Sequence, residues 1–293
     1  MKKRVLYITM VWSLAITSCS KDFLDRGSQV IFDDTNFWTS ENNVKSYSWE
    51  FYNLFKGYGT GTNGDFYFTT FNDDQAATGM NTFPTAAPAS DGNWDYTYIR
   101  KANLMLIRVP NVPMGQEAIN HYLGLARFFR AYEYADLVRH FGDVPYINKY
   151  LDQSETGLIY TGRTPRNIVV DSLIADLQYA ALHVRSAERN KALGDVNILS
   201  KEVVWAYLGR VALYEGTYAK YVEGDAARAG KLLKISKEAS GNLIANAALP
   251  YKLTPVYHNL YGSLDLSKNE EVFCLKHELA PRHLQKQILV DVR

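Results

Sequence analysis

The chain reads as mostly α, a helical scaffold carrying long decorated loops and a few short strands. Three observations predict this. Apolar residues recur at helical spacing through six stretches, and a capping residue, a glycine or a proline marks their ends. Between the first two of them, residues 57–98 form a long aromatic loop without that periodicity. Near the end, residues 271–277 form a short strand-like run that holds Cys274.

The elements follow in order. Lys2, Lys3 and Arg4 precede an apolar run of residues 5–16 interrupted only by Thr9 and Ser13, and Thr17 and Ser18 then lead to Cys19. A membrane-spanning helix needs about 20 apolar residues, so this shorter run is predicted to be a secretory leader. Small residues directly before Cys19 make it a lipoprotein signal over residues 1–18, with the acylated Cys19 thiol as the anchor. Residues 19–32 are polar and are expected to form a lipidated tether.

A helical domain is expected over 33–279. Val44, Tyr47, Phe51, Leu54 and Phe55 share one helix face, with Ser40 as N-cap and Gly57 as the stop. A second helix is predicted over 94–109, ended by Pro110 and Pro113. The strongest pattern, 116–140, is apolar on two faces: Ala118, Tyr122, Leu125, Phe129 and Tyr132 on one, Phe128, Ala131, Ala135 and Val138 on the other. Such a helix must be packed on two sides. Gly142 and Pro145 end it. Thr164 as N-cap with Pro165 at the first helical position predicts a helix to about Ala187. Ser200 caps a helix to about Tyr221, and Asp225 caps 226–240, with Gly241 as its stop. Residues 280–293 read as a divergent C-terminal tail.

Composition excludes several function classes. Three of the 32 Lys and Arg lie in the leader and none of the 31 Asp and Glu, so the mature chain is near neutral at −2. That rules out the electrostatic footprint of a nucleic-acid binder. With Cys19 lipidated, Cys274 has no cysteine to pair with and reads as a small buried hydrophobe. The six histidines are scattered, and no His-Glu-x-x-His or Gly-x-Ser-x-Gly is present. The glycines of residues 57–64 follow a helix and lack Gly-Lys-Ser/Thr, so they are not a phosphate cradle. Glu270 and Glu271 point to opposite faces of a strand and cannot flank a glycosidic bond. No cofactor or metal is expected.

Paired helices of this kind resemble tetratricopeptide units, and Trp205-Ala206-Tyr207-Leu208-Gly209 reproduces their Trp-x-x-Leu-Gly opening. The strict 34-residue period of such units is absent, and an insertion over 142–163 separates two helices.

Four segments together resemble the SusD/RagB family of outer-membrane nutrient-uptake lipoproteins. They are Cys19-Ser20-Lys21-Asp22-Phe23-Leu24-Asp25; Ala126-Arg127-Phe128-Phe129-Arg130-Ala131-Tyr132 with His140-Phe141-Gly142-Asp143-Val144-Pro145; Leu208-Gly209-Arg210-Val211-Ala212-Leu213-Tyr214; and Asn269-Glu270-Glu271-Val272-Phe273. The resemblance implies a tetratricopeptide-like scaffold, held by lipid on the cell-surface side of the outer membrane and seated on a TonB-dependent, SusC-like β-barrel transporter. It implies capture of oligosaccharides, or in some members peptides, for delivery to the barrel without catalysis. Family members are generally about twice this length, so a truncated member is expected.

Residues 57–98 hold nine aromatics and five aspartates and no Lys, Arg, Glu or His. Sugars lay C–H faces on aromatic rings and pair their hydroxyls with carboxylates and amides. The candidate ligand-binding residues are therefore Tyr58, Phe83 and Trp94 as stacking platforms, with Asp73, Asp74 and Asn81 as hydroxyl partners. Two alternatives stand beside them: Trp94 with Tyr98 as a buried helix face, and Asp73-Asp74 as a turn pair. With five aspartates and no local basic group, the loop predicts a neutral ligand. A lipid-anchored polysaccharide hydrolase and a purely protein-binding helical adaptor are the competing functions.

Overall fold

The computed structural model describes residues 37–55, 91–152, 154–195, 198–246, 274–276 and 287–289. Phe37 and Trp38 pack edge to face at 5.4 Å. From Ser40 onward the chain forms one unit. Its helices are α1 (Glu41–Trp49), followed by a 3-10 segment Glu50–Leu54, α2 (Thr97–Arg108), α3 (Gln116–Phe141), α4 (Thr156–Ile159), α5 (Arg166–His183), α6 (Ala187–Ala192), α7 (Lys201–Tyr218) and α8 (Ala226–Ile244). Two short strands, β1 (Cys274–Lys276) and β2 (Gln287–Leu289), pair antiparallel with Leu275 opposite Ile288. The fold is thus mostly helical, as the periodicity predicts. Among the described residues, no helix is long and apolar enough to cross a membrane.

Some boundaries move, each for a local reason. Ser40 caps α1 as expected, its hydroxyl accepting from Asn43 N at 3.3 Å. α2 begins at Thr97 rather than Trp94, because Asp95 accepts from both the backbone N–H and the hydroxyl of Thr97 (2.9 and 2.6 Å). Pro165 sits at the N-cap of α5, not at its first helical position. Thr164 caps nothing; its N–H donates to Val144 O at 2.9 Å in a bridge to the insertion. That helix stops at His183, and a separate α6 is capped by Ser186. α7 passes at Tyr218 into a π turn, Ala219–Glu223, that ends on Gly224 with φ +72°. α8 runs through Gly241 to Ile244, so that glycine is not a stop.

The core is built around α3, which packs on α1, α2 and α5; α5 packs on α7, and α7 on α8. Both predicted stripes of α3 are covered, with Phe128, Phe129, Ala131 and Val138 at most 1 % exposed. Phe129 lies 5.0 Å from Phe51, 5.4 Å from Tyr52 and 5.9 Å from Phe55, which ties the first helical segment to the centre of α3. Glycines set two of the crossings. A Cβ on Gly124 would lie 2.8 Å from Val184 Cγ2, and one on Gly216 would lie 2.9 Å from Leu233 Cγ. Helices carry glycine at a cost of about 1 kcal/mol relative to alanine, here offset by close backbone approach.

Buried polar groups join the layers. Arg130 donates to Asp176 through Nε and Nη2 (2.8 and 2.9 Å), and Arg127 adds a third bond at 3.0 Å. Arg130 Nη1 also reaches Asn103 Oδ1 (2.7 Å) and Asn148 O (3.1 Å). Asn103 in turn donates to Ile147 O and Lys149 O, each at 3.0 Å. One buried ion pair therefore fastens α2, α3, α5 and the insertion together. Between α5 and α7, Arg166 bonds both carboxylate oxygens of Glu215 (2.8 and 2.9 Å) and stacks on Tyr218 at 3.8 Å.

His121 is 1 % exposed, and its Nδ1 accepts from Arg185 N at 3.1 Å. Burial, reinforced by the Arg185 charge, pushes its pKa down from 6.5 to about 3. The unfolded chain then binds a proton that the native state refuses, so stability is complete above pH 6.5 and falls as pH drops through 6.5 toward 3. The expected loss is up to about 1.4 kcal/mol per pH unit. Thermal unfolding scanned from pH 7.5 to 5 should show this slope, and His121→Asn, which keeps an acceptor, should flatten it.

Candidate ligand-binding site

Of the six residues predicted to bind ligand, Tyr58, Asp73, Asp74, Asn81 and Phe83 lie outside the described residues, as does Cys19. Trp94 is described, and it is not part of a buried helix face. It precedes α2 and is 38 % exposed. Tyr98, inside α2, turns instead toward Phe51 at 6.2 Å.

The local sequence builds a rigid ledge for Trp94. Asp91 accepts from the backbone and side-chain nitrogens of Asn93, both at 2.9 Å, and its carbonyl accepts from Trp94 N at 3.1 Å. This is the self-bonding turn that Asp favours. The indole meets Phe141 edge-on at 4.9 Å and Tyr96 at 6.0 Å. Tyr96 is fixed by its hydroxyl, which donates to Pro145 O at 3.0 Å, and burial pushes its pKa up to about 12. It stays neutral at any physiological pH.

Arg163 completes the ledge from the far end of the insertion. Its guanidinium lies 5.0 Å from the Trp94 ring centre, a cation–π distance. Its Nη1 also makes long bonds to Phe141 O (3.5 Å) and Asp143 O (3.3 Å). Gly142, at φ +70°, lets the chain reverse after Phe141 so that both ends of the insertion arrive at Trp94. Sequence reasoning missed Arg163, because no pattern marks a residue 69 positions away from Trp94 as its neighbour. Arg100 and Lys101 are engaged elsewhere: Arg100 bonds Leu151 O and stacks on Tyr150 at 4.1 Å, and Lys101 pairs with Glu50.

Among the described residues there is no group of three His, Cys, Asp or Glu that could hold a metal ion. The ledge offers an exposed ring and a guanidinium, which suits holding a ligand.

The described residues are therefore a helical scaffold that presents an aromatic ledge at Trp94. Residues 31–213 match the SusD-like family described as "Starch-binding associating with outer membrane", and the chain belongs to that family. Two curated relatives come from Formosa agariphila. SusD-like protein P2 is 32% identical over 169 residues, which cover 57% of this chain and 29% of that protein. SusD-like protein P25 is 26% identical over 176 residues, 59% of this chain and 31% of that one. The chain thus spans about a third of the length of these relatives. Among solved structures, a SusD-like protein from Bacteroides fragilis superposes with a TM-score of 0.58 at 19% identity, covering 85% of this chain and 47% of that one. A SusD-like carbohydrate-binding protein from the same species gives 0.55 at 17% identity over 72% and 41% of the two chains. At these identities the structural likeness speaks for the fold.

Proposed function

We propose that this protein captures neutral oligosaccharides at the outer face of the outer membrane and passes them, unaltered, to a TonB-dependent SusC-like β-barrel. The observation that carries the reading is the family match over residues 31–213, whose description joins starch binding to the outer membrane. The exposed Trp94 ledge supports it with a surface on which a sugar ring can lie. Tyr58 and Phe83 would extend that surface, and Asp73, Asp74 and Asn81 would take hydroxyls. Five aspartates in residues 57–98 disfavour an anionic chain, and Arg163 offsets only one of them. Cys19 would carry the lipid that holds the protein in place.

Titrating the full chain in mild detergent with matched neutral and anionic oligosaccharides tests the ligand class. The neutral set should bind more tightly, and Trp94→Ala should weaken it by about threefold to tenfold, the value of one aromatic contact. Tighter binding of the anionic set would overturn neutrality, and shorter products after incubation would point to a hydrolase. Cys19→Ser should move the protein from the membrane to the soluble fraction. A variant that stayed membrane-bound would remove the anchor.

A further inference from the structure

A second indole stands in solvent on α1, where Trp49 is 54% exposed. The core does not use it. Val44, Tyr47 and Phe51 are the buried side chains of α1 and its 3-10 extension, and Trp49 lies off that stripe. Among the described residues no other aromatic ring meets the indole, and its N–H has no acceptor. The contact it does make is with the Lys45 ammonium, one helical turn back and 5.8 Å from the ring centre.

Lys45 is held in place by a partner from a distant part of the chain. It pairs with Asp195, 150 positions further on. Asp195 is fixed in turn, because Gly194, at φ +80°, reverses the chain after α6 and the Asp195 N–H donates to Asn190 O at 2.9 Å. The pair uses one carboxylate oxygen, so Asp195 keeps the other as an acceptor, and the ammonium keeps its remaining N–H donors. On the other side of the ring Glu50 pairs with Lys101, and at the start of α1 Glu41 pairs with Arg185. Lys45 and Lys101 thus cancel Asp195 and Glu50, and the surface beside Trp49 is locally neutral.

We propose that Trp49 is a second sugar platform, on which one ring of a neutral oligosaccharide lies with its hydroxyls on the free Asp195 oxygen and the Lys45 N–H groups. An exposed indole beside a carboxylate–ammonium pair supplies together the C–H contact, the acceptor and the donors that a sugar uses. Local neutrality favours a sugar over an anionic lipid surface, which would draw on a basic excess that this face lacks. The proposal rests on the capture of neutral oligosaccharides for its ligand class, and it differs in the site. One ring belongs to α1 and the other precedes α2, so each can be removed alone.

The test is fluorine NMR of the full chain in mild detergent, labelled with 5-fluorotryptophan, with the two resonances assigned by their loss in Trp49→Phe and Trp94→Ala. Maltohexaose, cellohexaose and laminarihexaose are titrated in turn. At least one should shift the Trp49 resonance and saturate at roughly millimolar concentration, and it should do so equally in Trp94→Ala. Asp195→Ala removes the acceptor and loosens Lys45, so it should weaken that sugar at Trp49 by about threefold to tenfold. Thermal unfolding confirms that this variant is folded, and Lys45→Met takes its place if it is not. Hexasaccharides that shift Trp94 but not Trp49 would overturn the second platform and spare the capture reading. A shift of Trp49 without Trp94 would support the second platform and remove the ledge, and a shift of neither would overturn both. Unchanged affinity in the Asp195 variant, or a Trp49 resonance that responds to phosphatidylcholine vesicles and to no sugar, would also overturn the proposal, the latter by assigning the ring to a bilayer.

Discussion

Asp176→Ala is expected to destabilise the protein by about 3–5 kcal/mol, the usual consequence of stranding one member of a buried ion pair. Asp176 and Arg130 have side chains only 5% and 6% exposed, and the aspartate accepts three bonds from two arginines. Without it, the Arg130 guanidinium stays buried with only Asn103 and Asn148 to satisfy it. Urea unfolding followed by circular dichroism should show the midpoint falling with little change in slope. The double variant Arg130→Met with Asp176→Leu should recover most of the loss, because no buried charge remains. A double variant as unstable as Asp176→Ala would mean that the bonds to the insertion, rather than charge compensation, dominate.

Phe129→Ala should cost a similar amount, about 3–5 kcal/mol, by leaving a ring-sized hole at the centre of α3. Phe129 is fully buried and stacks on Phe51 at 5.0 Å with the planes 10° apart, while Phe128 meets it edge-on at 5.3 Å. Because Phe51 belongs to the 3-10 segment after α1, the loss should also loosen that segment's hold on the domain. Denaturant unfolding gives the magnitude, and hydrogen exchange should show the amides of residues 41–54 opening first. Tyr214→Ala, at a residue 46% exposed, should change stability by no more than about 0.5 kcal/mol and serves as the control.

Asp176 shows how far the sequence could be read. It sits in α5 between Ile174 and Leu177, both buried, yet the sequence reading did not single it out. Its partner was not legible either. Arg130 and Arg127 also lie on α3, but periodicity does not say which arginine of one helix faces which acid of another. The same limit governs Trp94. Composition singled out its loop and nominated the ring, yet the spacing from Trp94 to Tyr98 suited a buried helix face equally well. Asp95, bonding to Thr97, moved the helix start and left the indole outside it. Helix ends were misread wherever a residue that usually stops a helix found room to continue, as Gly241 does within α8.

By itself the sequence determined the helical class, the doubly covered α3, the caps at Ser40 and Asp225 and the family, because these follow from local periodicity, hydrogen bonding within a few residues and the order of short motifs. Only the tertiary structure decided that Arg163 lies on Trp94, that Asp176 holds α2, α3 and α5 together through Arg130, and that Asp195 reaches Lys45 beside Trp49. Those juxtapositions depend on how helices cross and where an insertion of some twenty residues returns, and that geometry is set by the sum of many packing contacts, not by any short stretch of chain.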